Sequence, residues 1–207
     1  MSIAPPTEAG TFTAYPVPVD SLKRFTITEY HSLIKLGILA EDGSCELLKG
    51  LVVHKMGKNR RHSLVTRRLR EMVQRLLADC NCYVDSQEPL VALDSEPEPD
   101  VYAVRGKAED YQSEQPAAKD VPLVIEVAEA TLGNDRLAKK LIYAEASIPV
   151  YWIVNLLARQ VEVYTQPSGP AAQPDYASRE IHDEGAEVPV VVDGREIGRL
   201  KVKDILP

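Results

Sequence analysis

Apolar residues recur along this chain with two different periods, and the switches between them lay out the elements. From His62 to Asp79, Val65, Leu69, Met72, Val73, Leu76 and Leu77 return every three or four residues and form one stripe. That spacing predicts an amphipathic helix. Upstream, Thr26 followed by Glu29 has the form of a capping box and predicts a short helix through about Leu36. Cys45-Glu-Leu-Leu, a Lys49-Gly50 turn and Leu51-Val-Val-His54 read as a β-hairpin. Short apolar strands are expected at Cys82–Val84, Val101–Val104 and Val121–Val127, the last nearly continuous in apolar residues as a central strand should be. A second helix is expected from about Asn134 to Ala146, then strands at Val150–Val154 and Gln160–Tyr164. Gln166 to Gly185 is polar and rich in Pro, Gly and Ser, and reads as a loop. The tail pairs Val188–Val192 with Glu196–Val202 around Asp193-Gly194.

Strands that alternate with helices predict an α/β protein. Residues 1–22, with Pro5, Pro6, Pro16 and Pro18, read as a proline-rich N-terminal arm, and 23–207 as one domain. At 207 residues a second full domain would be cramped. No apolar run reaches the roughly 20 residues that span a bilayer. Met1 to Pro18 has neither a basic start nor an apolar core, so no signal peptide is read there and a cytoplasmic protein is expected. Cys45, Cys80 and Cys82 lack the spacing of a zinc site and read as free thiols.

The net charge of −7 argues against a polyanionic partner until its distribution is considered. Lys55, Lys58, Arg60, Arg61, Arg67, Arg68, Arg70 and Arg75 crowd one segment that holds the single acid Glu71. Arg61, Arg68 and Arg75 are seven apart and would align along one flank of the helix, to contact nucleic acid or simply to face solvent. Acids gather elsewhere, at Asp94, Glu96, Glu98 and Asp100.

Three positions carry the chemistry. Pro99-Asp100 stands at a strand entrance, Glu126 lies inside the most apolar strand, and Lys139 lies on the helix that follows. A carboxylate in a central strand costs several kcal/mol unless it is paired, metal-bound or at an open strand end. Glu126 therefore needs a partner: a basic side chain in a structural ion pair, or a second carboxylate sharing a Mg²⁺ with it. On the helix, Leu137, Leu141 and Ala144 form the side expected to pack inward. Arg136, Lys139 and Tyr143 form the other, so Lys139 and Tyr143 project together. His62 is open between a phosphate contact and an ordinary residue of a helix N-terminus.

Glu126-Val-Ala-Glu-Ala-Thr-Leu-Gly-Asn-Asp135-Arg-Leu-Ala-Lys139-Lys-Leu-Ile-Tyr143, continuing to Tyr151-Trp152-Ile-Val-Asn155, resembles the Uma-two family of endonucleases. The likeness extends to Ser95-Glu-Pro-Glu-Pro-Asp100, to Lys58-Asn-Arg-Arg-His62 and to Glu46-Leu-Leu-Lys-Gly50, and covers about residues 23–207. That family belongs to the PD-(D/E)XK nuclease superfamily. The resemblance implies a restriction-endonuclease-like mixed sheet flanked by helices, here with extra β-hairpins. It implies that Asp100 and Glu126 hold a Mg²⁺ or Mn²⁺ ion and that Lys139 is catalytic. Position 128, where the superfamily's lysine usually stands, is Ala. Glu46 matches an acid of the family's early hairpin and joins the catalytic set, with Tyr143 supporting it. Lys49, Leu51, His54 and Asn155 depart from residues frequent in the family, which leaves fewer carboxylates for a second metal.

The expected function is a Mg²⁺-dependent endonuclease cutting DNA, with Lys58, Arg61, His62, Arg68 and Arg75 as nucleic-acid contacts. Double-strand cutting calls for two sites, hence a homodimer. The alternative is a nucleic-acid-binding or regulatory protein that keeps the fold with little or no turnover.

Overall fold

The computed structural model describes residues 18, 21–40, 43–55, 57–129 and 131–207. Most of the expected proline-rich arm, 1–17 with 19 and 20, lies outside the described residues. Helix α1 (Ile27–Lys35) starts at the capping box: the Glu29 N–H donates to Thr26 Oγ1 and the Thr26 N–H to Glu29 Oε2. Strands β1 (Cys45–Leu48) and β2 (Leu51–His54) pair antiparallel across Lys49 and Gly50. Both turn residues have left-handed φ, 50° and 74°, as a two-residue hairpin turn of this hand requires. A Cβ on Gly50 would also come within 2.8 Å of Arg24 Cβ.

Helix α2 (Arg60–Leu76) is followed by β3 (Cys82–Asp85), β4 (Val101–Arg105) and β5 (Leu123–Ala128). Helix α3 comprises an α-turn Leu132–Asn134, a π-helical stretch Asp135–Lys139 and an α-helical stretch Lys140–Glu145. Then come β6 (Val150–Asn155), β7 (Gln160–Pro167), β8 (Tyr176–Asp183), the hairpin β9 (Glu187–Val192) and β10 (Arg195–Lys201), and a last helical turn, α4 (Val202–Ile205). One six-stranded sheet runs in the order β3-β4-β5-β6-β7-β8, with β5 and β6 parallel and the other neighbours antiparallel. This is the expected mixed α/β sheet with flanking helices and extra hairpins.

Both faces of the sheet are covered, which is why β5 reads as an almost unbroken apolar run. Leu123, Ile125 and Val127 face α2, whose Val65, Leu69 and Val73 are fully buried with Leu77 just past its end, together with Val188, Val190 and Val192 of β9. Val124 and Ala128 face the other way, toward Ile142, Tyr143 and Ala144 of α3 and an aromatic group of Tyr151, Tyr164 and Tyr176. Side chains alternate along a strand, so Glu126 belongs to this second face.

Three expectations need correction. The polar stretch 166–185 is not a loop throughout, because Tyr176–Asp183 forms the edge strand β8. An edge strand buries little, and only Tyr176 within it is buried, so no hydrophobic pattern marks it. The second strand of the tail hairpin ends at Lys201, with a register shift between Glu196 and Gly198, and Val202 opens α4. On α3 the predicted inner side is largely outside: Leu137 is 69% exposed and Leu141 is 39% exposed, whereas Lys139 and Tyr143 are buried. The helix turns its ionisable side toward the sheet because Glu126 waits there. Among the described residues, no helix is long and apolar enough to cross a membrane, and the three cysteines are free.

Candidate functional site

The register of β4 on β5 builds the centre of the site. Val101 pairs with Ile125, which sets Asp100 beside Glu126 where β4 begins. The Asp100 N–H donates to Glu126 Oε2 at 3.3 Å, and the Val127 N–H donates to Asp100 Oδ2 at 2.9 Å. From α3, Lys139 Nζ donates to Glu126 Oε1 at 2.9 Å and Tyr143 Oη donates to the same oxygen at 2.8 Å. Lys139 Nζ also lies 3.3 Å from Glu46 Oε1 of β1, which accepts the Glu98 N–H as well. His62, in the first turn of α2, places Nε2 3.0 Å from Asp100 Oδ2. Asn59 caps that helix by accepting the His62 N–H, which directs the turn at the cleft. Five separate elements thus close on one spot.

The spot is deep. Glu46, Asp100, Glu126 and Lys139 are each no more than 7% exposed, yet all four line a cleft of about 260 Å³. Asp135 and Lys58 line it too. Burial drives the Glu126 carboxyl up to about 8, against the pull of Lys139 and with Asp100 and Asp135 pushing the same way. Burial also opposes the Asp100 anion, but the hydrogen bond and charge of His62 hold its carboxyl below the usual range. Asp135 is pushed up to about 6, again chiefly by burial. Burial works against the Lys139 ammonium, and the surrounding carboxylates Glu126, Glu46 and Asp135 more than offset it.

Four carboxylates, Glu46, Asp100, Glu126 and Asp135, therefore share one buried ammonium and one imidazole. Such a site has negative charge to spare, and a hard oxygen donor set with excess charge fits a divalent cation. Asp100 and Glu126, neighbours across β4 and β5, are the two residues that would hold one. No group of three His, Cys, Asp or Glu among the described residues is arranged to hold an ion alone, so water and a ligand's oxygens would complete the coordination.

The expected residues divide into three groups. Asp100, Glu126, Lys139, Glu46 and His62 come together in the cleft, with Lys58 lining it and Tyr143 behind Glu126. Arg61 stands nearby and pairs with Glu129 at 3.2 Å. Arg68 and Arg75 are elsewhere: Arg68 donates to the carbonyls of Leu206 at 2.6 Å and Asp204 at 3.2 Å, and Arg75 pairs with Glu71. His62, for which the sequence offered no partner, is turned inward onto Asp100.

Asp135 was missed. It is 3% exposed, accepts a 2.7 Å bond from the Thr131 hydroxyl, and its backbone carbonyl accepts one from Tyr151. Thr131, Asp135, Lys139 and Tyr143 recur every four residues, and that spacing was a usable signal. The π-helical stretch lies in this segment. The Lys140 N–H reaches back to the Asp135 carbonyl, a wider turn of the kind that often marks functional positions.

Comparisons with known proteins bear on the family and the fold. The model of the Uma2 family, described as "Putative restriction endonuclease", matches residues 27–199. A solved structure from Anabaena variabilis, described as a "putative nuclease belonging to DUF820", is similar in fold, with a TM-score of 0.62 at 15% identity. The likeness covers 84% of this chain and 96% of that one. No curated protein matches. With the matched residues spanning every element of the cleft, the chain belongs to the Uma2 family of restriction-endonuclease-like proteins.

Proposed function

We propose that this protein is a divalent-metal-dependent endonuclease that hydrolyses phosphodiester bonds of DNA. One observation carries the reading: Asp100, Glu126 and Lys139, from three separate elements, converge in a cleft whose carboxylates outnumber its cations. When bound, Mg²⁺ or Mn²⁺ supplies Lewis-acid charge at the phosphate.

The protein's own groups do the rest. Lys139 is a compact positive charge at the floor of the cleft, able to stabilise negative charge that develops on phosphate oxygens. Tyr143 fixes the Glu126 carboxylate from behind, while His62 and the Val127 N–H hold one oxygen of Asp100 and the Gln87 side-chain amide donates to the other at 3.4 Å. Glu46 keeps Lys139 in place. Water attacks the phosphorus in line as the bond to the leaving oxygen breaks. Lys58 and Arg61, near the mouth, contact flanking phosphates. Cutting both strands calls for two such sites, which a two-fold homodimer supplies. A DNA substrate agrees with the cytoplasmic setting expected from the sequence.

The test is nicking of supercoiled plasmid in Mn²⁺ or Mg²⁺, wild type against Asp100→Ala. Metal-dependent cutting by the wild type alone is expected. DNA that is bound but uncut by both proteins would select the non-catalytic binding reading.

A further inference from the structure

The outer side of α2 carries charge that the site does not use. Arg60, Arg67 and Arg70 are exposed, and among the described residues none of them has a hydrogen-bond or ion-pair partner. The other arginines of the helix are all engaged, Arg61 with Glu129, Arg68 with the carbonyls of the C-terminal turn, and Arg75 with Glu71. At about 100° per residue, positions 60, 67 and 70 fall within roughly one quarter of the helix circumference. They share that side with Ser63, with Leu64, and with Glu71 at the far end, whose charge Arg75 already balances.

Three unpaired guanidinium groups in a row are notable on a chain of net charge −7. Among the described residues none supplies a counter-charge for them, which points to an anionic partner. Their line has a direction. Arg60 follows directly on Lys58 and Asn59, which line the cleft, and the row runs away from it along the helix. From Arg60 to Arg70 the helix rises about 15 Å, close to the rise of four or five phosphates along one strand of a duplex. Leu64 is the one exposed apolar residue of the row, too little for a helix that buries an apolar face in a membrane.

We propose that Arg60, Arg67 and Arg70 form a track for the phosphate backbone of duplex DNA, which leads one strand over Lys58 into the cleft. This rests on the endonuclease reading, and it moves the main backbone contacts from the Arg61, Arg68 and Arg75 flank to the neighbouring side of the helix.

The experiment measures binding of a fluorescent duplex by the full chain in EDTA, across a salt series. It compares wild type, the triple variant R60Q/R67Q/R70Q, and a control, R195Q/R199Q/K201Q, that loses the same charge on β10. The track predicts at least a tenfold loss of affinity at low salt for the triple variant alone. It also predicts a log–log salt slope flatter by roughly 2 to 3, as expected for that many lost phosphate contacts. Equal losses in both variants, or a triple variant that binds like wild type, would overturn it. So would loss of binding to an RNA hairpin or to phosphatidylserine vesicles with duplex affinity unchanged.

Hydrolysis of bis(p-nitrophenyl) phosphate in Mn²⁺ separates this from the reading beneath it. That ester is too small to need the track. If wild type and the triple variant cleave it alike while duplex affinity is unchanged, the track alone falls. If wild type cleaves neither the ester nor plasmid, the endonuclease reading falls, and the track loses its basis with it.

Discussion

Two clusters of buried charge flank the same helix, and they are built on opposite principles. At the candidate site, Glu46, Asp100, Glu126 and Asp135 face Lys139 and His62, and burial lifts Glu126 to about 8. At the other cluster Glu162 of β7 has no exposed surface. It is met by Arg136 of α3, by Arg179 of β8 at 3.0 Å and by the Tyr164 hydroxyl at 2.7 Å. Burial works against its anion, yet these partners bring its carboxyl down to about 2. Asp135 and Arg136 are adjacent residues, so one turn of α3 serves both clusters. Burial of a carboxylate is common to the two and discriminates nothing. The ratio of anions to cations does: two cations for one carboxylate make a fastening, and too few cations for four carboxylates leave a place for something else.

The largest effect expected from this contrast is on turnover. Lys139→Ala should lower plasmid cleavage roughly 100- to 1,000-fold or more, as loss of a group that stabilises transition-state charge does. Lys140→Ala should leave the rate near wild type, because Lys140 points away to Asp175 at 2.8 Å. Lys139 is also the cation that Glu46 and Glu126 share. The metal-free Lys139→Ala variant should therefore lose about 1–3 kcal/mol of stability, and its rates are compared at a temperature where circular dichroism shows it folded. Full activity of Lys139→Ala would reduce Lys139 to a structural counter-ion and erase the distinction between the clusters.

Glu162→Gln should be the most damaging single change for stability. It strands Arg136 and Arg179 and loosens both α3 and the edge strand β8. Breaking a buried pair costs several kcal/mol, but the two arginines are 38% and 44% exposed and partly screened. About 2–3 kcal/mol in urea denaturation is the expected loss. The same group predicts a pH effect of known sign. Its folded carboxyl titrates near 2, below the ordinary value of 4.5, so the stabilisation is complete above pH 4.5 and is lost as pH falls toward 2. Wild type should lose about 2 kcal/mol over that window from this group, after discounting for screening. A Glu162→Gln variant should lack that component of the acid limb.

How well each cluster could be read in the sequence follows from the same contrast. Glu126 stood out because an acid inside Val121–Val127 breaks an apolar run, and Lys139 with Tyr143 were read together from their four-residue spacing. The hairpin around Lys49-Gly50 and the capping box at Thr26 were legible because local geometry demands those residue types. Glu162 was hidden in plain alternation: Gln160-Val-Glu-Val-Tyr164 reads as a strand with one polar face toward solvent. That face is covered by α3, and nothing local says so. The orientation of α3 failed for a related reason. Leu137 and Leu141 attract the inward assignment by hydrophobicity, but the buried partner is a carboxylate, and the π-helical stretch turns Asp135, Lys139 and Tyr143 onto it. Long-range charge pairing decided both cases, and single-residue hydropathy carries no trace of it. The partial exposure of β8 hid that strand by the opposite route, through too little burial.

The smallest expected effect is the sharpest test of the under-compensated cluster, because its sign is opposite to that of Glu162→Gln. Asp135 is 3% exposed, and among the described residues its one hydrogen-bond donor from a side chain is Thr131, at 2.7 Å. An asparagine in its place keeps an oxygen for that hydroxyl while removing one ionisable group from a crowd of four carboxyls. Because the folded carboxyl is raised to about 6 from 3.8, its charged form is disfavoured in the native state. The native protein therefore loses stability as pH climbs through that interval, and the penalty is full at pH 7. Asp135→Asn should stabilise the EDTA-treated protein at pH 7 by about 1 kcal/mol, less than the shift alone implies, since the new amide N–H₂ also loses water on burial. Well below 3.8, at about pH 3, the wild-type carboxyl is protonated in both states and the gain should vanish. Urea denaturation at pH 7 and at about pH 3 measures both. A loss of stability at pH 7 would mean that Asp135 is a fastening like Glu162, and that the site's surplus of negative charge is smaller by one.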